Sequence, residues 1–186
     1  MTCIIGIQKN KNVWLGGDSA GTAGDMSQMI IADKKVFVRG EFAFGVCGLP
    51  KVMDALNHEM ILPKQSSPDD RQFMGSTFIQ TVKETLKKAG CVKKGDGMFG
   101  PTDEHFEGAF LIGYRGKLYR MESNFQIITS AYGFDAVGSG ADIALGHLHS
   151  TQASLLHSPK RRILKALEAS SINNAAVRPP FSIVKV

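Results

Sequence analysis

Residues 2–18, TCIIGIQKNKNVWLGGD, decide the fold because they place strands at the start of the chain. The β-rich runs Thr2–Ile7 and Val13–Leu15 are separated by the polar residues 8–12, a turn of hairpin length. The fold class depends on whether helices or more strands follow this first hairpin.

Groups of strands alternate with pairs of helices along the rest of the chain. Residues 19–24 are too small and glycine-rich for a core element. Helical periodicity follows Pro50 and recurs between Phe73 and Leu86. The glycine-rich residues 90–107 predict a long surface loop. Further strands are predicted at 30–38, 41–46, 108–114, 117–122, 131–137 and 181–186, and further helices at 141–156 and 159–172. This order predicts two antiparallel sheets packed face to face with helix pairs outside, rather than a doubly wound parallel sheet.

Length and composition favour one soluble globular domain over residues 1–186, and the order of strands and helices predicts that it is α+β. The chain is 43% hydrophobic and 21% charged, and at this length folding buries about 70% of the unfolded surface, so neither disulfides nor a metal are needed for stability. Three cysteines without a CxxC spacing predict neither a disulfide framework nor a zinc ribbon, and a reducing cytoplasm is the expected compartment. No signal peptide or membrane span is expected.

Charge and motif patterns argue against several ligands. The net charge of +5 is modest and its lysine and arginine clusters are short, so nucleic-acid binding is not expected. His147 and His149 are two residues apart and lack metal-ligand spacing on a helix. No Walker A or dinucleotide fingerprint occurs, and we expect no cofactor and no metal.

Two hydroxyl residues are candidate nucleophiles. Gly17–Gly21 matches GxSxG, the elbow that exposes a serine between a strand and a helix, but glycines interrupt the place where that helix would stand. Thr2 is the stronger candidate because removal of Met1 would leave a free amine on a threonine. An α-amino group titrates near about pH 8, so close to neutral pH it can accept the hydroxyl proton.

Several motifs together resemble proteasome β-subunits and the bacterial proteasome-like peptidase HslV, and most closely the compact proteasome-like proteins of bacteria and phages. The resemblance covers most of the chain and rests on Thr2–Ile7, Gly17-Asp18, Ala32–Val36, Phe44–Gly48, Phe110–Tyr114 and Gly138–Gly140. These proteins are N-terminal nucleophile hydrolases, so the resemblance implies a four-layer αββα fold.

The resemblance also implies roles for individual residues. Thr2 would be the nucleophile, Lys35 the catalytic lysine and Asp18 the acid that anchors it. Lys34 is the alternative lysine when residues are counted without a gap, but the family's lysine directly precedes a β-branched residue, as Lys35 precedes Val36.

Two further positions match, and two depart from the family. Gly45 would supply the oxyanion-hole N–H, and Ser139 would contact the threonine amine and relay its proton. The family's acid and serine near the C-terminus align around Asn173-Asn174 and Val177, where this chain has neither. An asparagine can orient a neighbour by hydrogen bonding but supplies no charge.

The sequence therefore predicts a threonine-type peptidase that cleaves polypeptides or peptides through an ester on Thr2. The resemblance implies a homo-oligomeric ring or stacked rings and a separate AAA+ unfoldase. Two alternatives stay open: a catalytically silent shell or scaffold protein, and a small-amide hydrolase of the same fold.

Overall fold

Two antiparallel sheets form the centre of the molecule. The computed structural model describes residues 2–22, 27–95, 103–153 and 157–186. The strands are β1 (Ile4–Lys9), β2 (Asn12–Gly17), β3 (Ala20–Thr22), β4 (Gln28–Ile30), β5 (Val36–Arg39), β6 (Phe42–Gly48), β7 (Val92–Lys94), β8 (Glu104–Phe106), β9 (Gly108–Tyr114), β10 (Lys117–Met121), β11 (Ile127–Ile128), β12 (Phe134–Val137) and β13 (Ser182–Lys185). The first sheet has the order β12-β1-β2-β13 and the second has β11-β10-β9-β6-β5, while β3-β4 and β7-β8 form two-stranded ribbons.

Helices lie between the strand groups in the predicted places. They are α1 (Pro50–Asp54), α2 (Asp70–Phe73), α3 (Ile79–Lys88), α4 (Ala141–Ser150) and α5 (Pro159–Asn173). A π-helical turn, Ala55–Glu59, continues α1, and a second one, Met74–Phe78, joins α2 to α3. Asp69 caps α2 by accepting hydrogen bonds from the N–H groups of Arg71 and Gln72.

Three apolar layers hold these elements together. Ile5 and Ile163 belong to the layer between the first sheet and α4 and α5. Ile4 and Leu111 belong to the layer between the two sheets. Phe44 lies in the layer that packs the second sheet against α1, α2 and α3. The predicted four-layer αββα architecture is thus confirmed.

The alternation of side chains along the first strand sets the direction of the N-terminal residues. Cys3 and Ile5 pack toward α4 and α5, whereas Ile4 packs between the sheets. Cys3 therefore faces away from Thr2, as the sequence predicts.

Some element boundaries were predicted wrongly. Residues 20–22 form β3, because their small side chains let this short strand pair closely with β4. The predicted strand 30–38 is divided between β4 and β5, with residues 31–35 as the connection. The predicted loop 90–107 contains β7 and β8, while residues 96–102 lie outside the described residues.

The fourth helix is also shorter than predicted. It ends at Ser150, where Thr151 Oγ1 donates to the carbonyl of His147 and the Arg162 guanidinium donates to that of Leu148, which satisfies carbonyls of the last turn. Residues 154–156 of the predicted helix lie outside the described residues. Among the described helices, none combines the length and the apolar character needed to cross a membrane.

Candidate active site

Thr2 lies just before the first strand, at the end of the inter-sheet layer. Only 4% of its surface is exposed. Its carbonyl oxygen accepts hydrogen bonds from the N–H of Gly140 at 3.3 Å and from Ser139 Oγ at 3.4 Å. The main chain of Thr2 is therefore held by the loop that precedes α4.

Lys35 brings a buried ammonium to the Thr2 hydroxyl. It ends the connection before β5, and its carbonyl accepts from the N–H of Val46, which extends the β5-β6 pairing to this residue. Its Nζ lies 2.9 Å from Thr2 Oγ1, 3.0 Å from Asp18 Oδ1 and 2.7 Å from the carbonyl oxygen of Ala20. An ammonium carries three N–H bonds, and each has an acceptor here.

Lys34, the alternative lysine, is exposed, whereas 5% of Lys35 is accessible to solvent. The structure brings Lys35, and not Lys34, to Thr2.

Asp18 is the anionic partner of this lysine, and both of its carboxylate oxygens accept hydrogen bonds from the protein. Oδ1 accepts from Lys35 Nζ and from the N–H of Cys3, both at 3.0 Å. Oδ2 accepts from the N–H of Ala20 at 2.9 Å and from that of Arg178 at 3.4 Å. With 1% of its surface exposed, this carboxylate is compensated entirely by protein donors.

Gly45 lies away from the space beside Thr2. It is in the middle of β6, paired with Val36 on one side and Leu111 on the other, and a Cβ there would meet Ile4 at 2.5 Å. Because the N–H of Val46 points to β5, strand alternation directs that of Gly45 toward β9.

Gly48, at the end of the same strand, lines the pocket beside Thr2. Strand alternation directs its N–H to the same side as that of Val46, which donates to the Lys35 carbonyl oxygen. Its φ of +144° and the 2.3 Å that would separate a Cβ from the Glu107 carbonyl oxygen require glycine here. The motifs did not predict a role for Gly48, although its place at the strand end before Pro50 is a usable signal.

The Gly138–Gly140 loop closes the other side of Thr2. Gly138 has a φ of +100°, and a Cβ there would come within 2.2 Å of the Thr2 carbonyl oxygen. The next residue, Ser139, donates its hydroxyl to the same carbonyl oxygen, so the structure places Ser139 at the carbonyl of Thr2.

The residues aligned with the family's missing acid and serine have distinct surroundings. Asn174 Nδ2 donates to the carbonyl oxygen of Ser139 at 2.7 Å. Asn173 Nδ2 donates to Ala169 within its own helix, at 3.2 Å. Val177 is buried in the layer under α4 and α5.

A pocket of about 230 Å³ opens beside Thr2. The β3-β4 ribbon supplies one wall, and Lys35, Gly48 and Pro50 line the rest. A smaller recess of about 40 Å³ continues from it and is walled by the apolar side chains of Ile31, Val46 and Met53 among others. Among the residues that the structure describes, Lys35 is the charged side chain of both linings, and the other described side chains there are mainly apolar.

Ser19, the alternative nucleophile, is not presented as a nucleophile elbow. A strand follows it rather than a helix, and its hydroxyl donates to the Pro180 carbonyl oxygen at 2.6 Å. Ser19 is buried and tied to the segment before the last strand.

Burial makes two thiols near the site hard to ionise. Desolvation raises the pKa of Cys3 to about 12, and it also raises the pKa of Cys47. Among the described residues, no cluster of histidine, cysteine and carboxylate side chains has the composition of a metal site.

Solved structures with the same fold come from proteasome-like proteins. BPH from Thiobacillus denitrificans in complex with epoxomicin superimposes with a TM-score of 0.81 at 13% identity, covering 99% of this chain and 97% of that chain. HslV from Trypanosoma brucei superimposes with a TM-score of 0.67 at 13% identity, covering 98% of both chains. Anbu, an ancestral β-subunit from Yersinia bercovieri, gives 0.66 at 13% identity and covers 100% of this chain and 81% of that one.

Sequence comparison alone finds less. No protein-family model matches the chain, and no curated protein matches it. The three-dimensional likeness shows that the chain has the proteasome-like N-terminal nucleophile hydrolase fold, as the motifs predicted.

Proposed function

We propose that the chain is a threonine-type peptidase whose nucleophile is Thr2 after Met1 has been removed. The observation that carries this proposal is the Lys35 ammonium, which lies 2.9 Å from Thr2 Oγ1 and is neutralised by buried Asp18. Burying a cation and an anion costs free energy. Apolar residues of similar volume often stabilise a fold as well as a buried ion pair does, so the placement of this pair against a threonine hydroxyl supports a chemical role.

The first half of the reaction forms an ester. The free α-amine of Thr2 accepts the hydroxyl proton, directly or through a water, as Oγ1 attacks the peptide carbonyl carbon. The Lys35 ammonium stabilises the oxygen as it loses its proton, and Asp18 keeps that ammonium in place. Gly48 lines the pocket beside Thr2, and its N–H would donate to the oxyanion.

The second half regenerates the enzyme. The protonated α-amine gives its proton to the departing amine as the peptide C–N bond breaks, which leaves an acyl ester on Oγ1. Water then attacks this ester, and the amine takes a proton from that water. The amine returns the proton to Oγ1 as the ester C–O bond breaks, which restores the threonine hydroxyl and releases the carboxylic acid product.

The pocket supports a polypeptide substrate with an apolar side chain beside the cleaved bond. Ile31, Val46 and Met53 offer contacts to hydrocarbon and no counter-charge, so a charged side chain would lose hydration without gaining a partner. We therefore assign the peptide bond that follows an apolar residue as the preferred site of cleavage.

Partners and location are part of the same proposal. The resemblance implies a homo-oligomer of ring type and a separate AAA+ unfoldase that delivers substrate, and the cysteine usage favours a cytoplasmic location. Sedimentation velocity of the purified protein tests the assembly, because a monomer at micromolar concentration would contradict it.

Peptide hydrolysis by three matched proteins tests the function. Wild type should hydrolyse peptides with an apolar residue before the bond and should be labelled at Thr2 by epoxomicin, the compound present in the BPH structure. Thr2→Ala should do neither, and Ser19→Ala should keep most of the activity. The reverse pattern would assign the chemistry to Ser19.

The alternative functions are outcomes of the same experiment. Hydrolysis of acyl amides but not of peptides would favour the small-amide hydrolase. An inert wild type that has lost Met1 would favour the silent scaffold.

A further inference from the structure

Asn174 lies where the last helix ends, and its side chain crosses to the loop before α4. Nδ2 donates to the Ser139 carbonyl oxygen at 2.7 Å, and Oδ1 accepts from the N–H of Ala176 at 2.9 Å. A flipped amide would place oxygen against oxygen and N–H against N–H, so the two partners fix its orientation.

Ser139, which Asn174 holds through its carbonyl oxygen, is in turn in contact with Thr2. Ser139 Oγ and the N–H of Gly140 both donate to the carbonyl oxygen of Thr2, at 3.4 and 3.3 Å. Gly138 packs against the same carbonyl so closely that no side chain fits. A shift of this loop must therefore shift Thr2.

The segment that begins at Asn174 also contacts Asp18, the carboxylate that anchors Lys35. The N–H of Arg178 donates to Asp18 Oδ2 at 3.4 Å, and its carbonyl accepts from the N–H of Ser19 at 2.9 Å. The Arg178 guanidinium donates back to the Ser171 carbonyl oxygen of the last helix at 3.0 Å. Residues 174–178 thus join the loop behind Thr2 to the carboxylate that anchors Lys35.

We propose that Asn174 is a positioning residue, which holds the Ser139 loop and through it sets the place of Thr2 relative to Lys35. The catalytic consequence of this inference rests on the proposed function. The link between Asn174 and the Ser139 loop rests on the hydrogen bonds alone. Asn174 does not line the pocket beside Thr2, so its effect falls on the chemical step rather than on substrate binding.

The role needs an amide. A carboxylate at this position could still accept from Ala176 but could not donate to the Ser139 carbonyl, and its charge would repel that oxygen. Asn174→Asp is therefore a disruptive change despite its equal size.

Asn173 provides a matched control in the neighbouring position. Its side chain donates only to Ala169 among the hydrogen bonds of the described residues, and it is exposed. Asn173→Asp introduces the same charge one residue away without touching the Ser139 loop.

Hydrogen exchange tests whether Asn174 holds the Ser139 loop, without relying on activity. In Asn174→Asp and Asn174→Ala, the amide of Gly140 should exchange about tenfold faster or more than in wild type, because its loop loses an anchor. Asn173→Asp should exchange at the wild-type rate. Unchanged exchange in both Asn174 variants, or equal acceleration in Asn173→Asp, would overturn the proposal.

Peptide hydrolysis then tests the consequence for Thr2. Both Asn174 variants should lower kcat about tenfold or more with KM unchanged, since small displacements of reacting groups are costly. A loss confined to KM, or wild-type kcat with a loosened loop, would overturn the positioning role. An inert wild type would contradict the proposed function, and hydrogen exchange would still decide whether Asn174 holds the Ser139 loop.

Discussion

The ammonium of Lys35 donates a hydrogen bond to the hydroxyl of Thr2 over 2.9 Å. The two residues are 33 positions apart in the chain. They meet because Thr2 lies just before the first strand and Lys35 lies just before β5, and these two strands begin at the same edge of the facing sheets. Lys35→Ala should therefore lower the rate of Thr2 acylation by about 10²-fold or more, the scale of losing one pre-placed electrostatic donor. Labelling kinetics with a threonine-directed covalent inhibitor measures this rate.

The neighbouring lysine supplies the control. Lys34 is exposed, so Lys34→Ala should label at the wild-type rate. Equal losses in the two variants would show that the net positive charge of the chain, and not the geometry at Thr2, governs the reactivity of Thr2.

Asp18 should matter for stability as well as for rate. Asp18→Asn keeps the size of the side chain but turns an NH₂ group toward N–H donors and leaves Lys35 without its counter-charge. Breaking a buried ion pair typically costs about 3–5 kcal/mol, so the free energy of unfolding should fall by this amount. Urea denaturation at neutral pH measures it, with exposed Asp33→Asn as the control. A wild-type midpoint for Asp18→Asn would contradict the assigned network.

The two lysines also show how far sequence reasoning reaches. Periodicity does not separate Lys34 from Lys35, and counting residues without a gap points to Lys34. The motif resemblance favours Lys35, and the structure supplies the reason, since pairing of its carbonyl with Val46 fixes which side chain turns inward. The layers were predictable because groups of β-rich runs alternate with pairs of helical patterns along the chain.

Other features depend on contacts between distant residues and could not be predicted. The backbone directions that favour Gly48 over Gly45 follow from pairing on both sides of β6. The π-helical turns after α1 and α2 leave the apolar periodicity almost unchanged. The contact of Asn174 with Ser139 spans 35 positions and carries no local signal.

The apolar recess predicts a graded substrate preference. Peptides with leucine, methionine or phenylalanine before the bond should show kcat/KM values about tenfold or more above those with aspartate or lysine there. Met53→Ala enlarges the recess and should raise the relative rate for the larger aromatic side chains, while exposed Ile61→Ala should not. A preference for acidic residues in wild type would contradict an apolar recess as the binding site.

The thiol of Cys3 should resist alkylation in the folded protein. Burial raises its pKa to about 12, so at pH 8.5 it stays protonated, whereas an unfolded thiol with a pKa of about 8.5 is half ionised. Raising the pH from 7 to 9 should therefore accelerate labelling of Cys3 by iodoacetamide in urea but hardly at all in the native state. Peptide mapping by mass spectrometry reads each site, and equal labelling in both states would show that Cys3 does not pack under α4 and α5.

Intact mass spectrometry tests whether Thr2 acts as a nucleophile with a free amine. The protein should have lost the mass of Met1, and after incubation with a threonine-directed covalent inhibitor it should gain one inhibitor, mapped to Thr2. A preparation that lacks Met1 yet gains no adduct, or carries the adduct on another residue, would contradict the assignment. Retention of Met1 in protein isolated from its own host would contradict it as well.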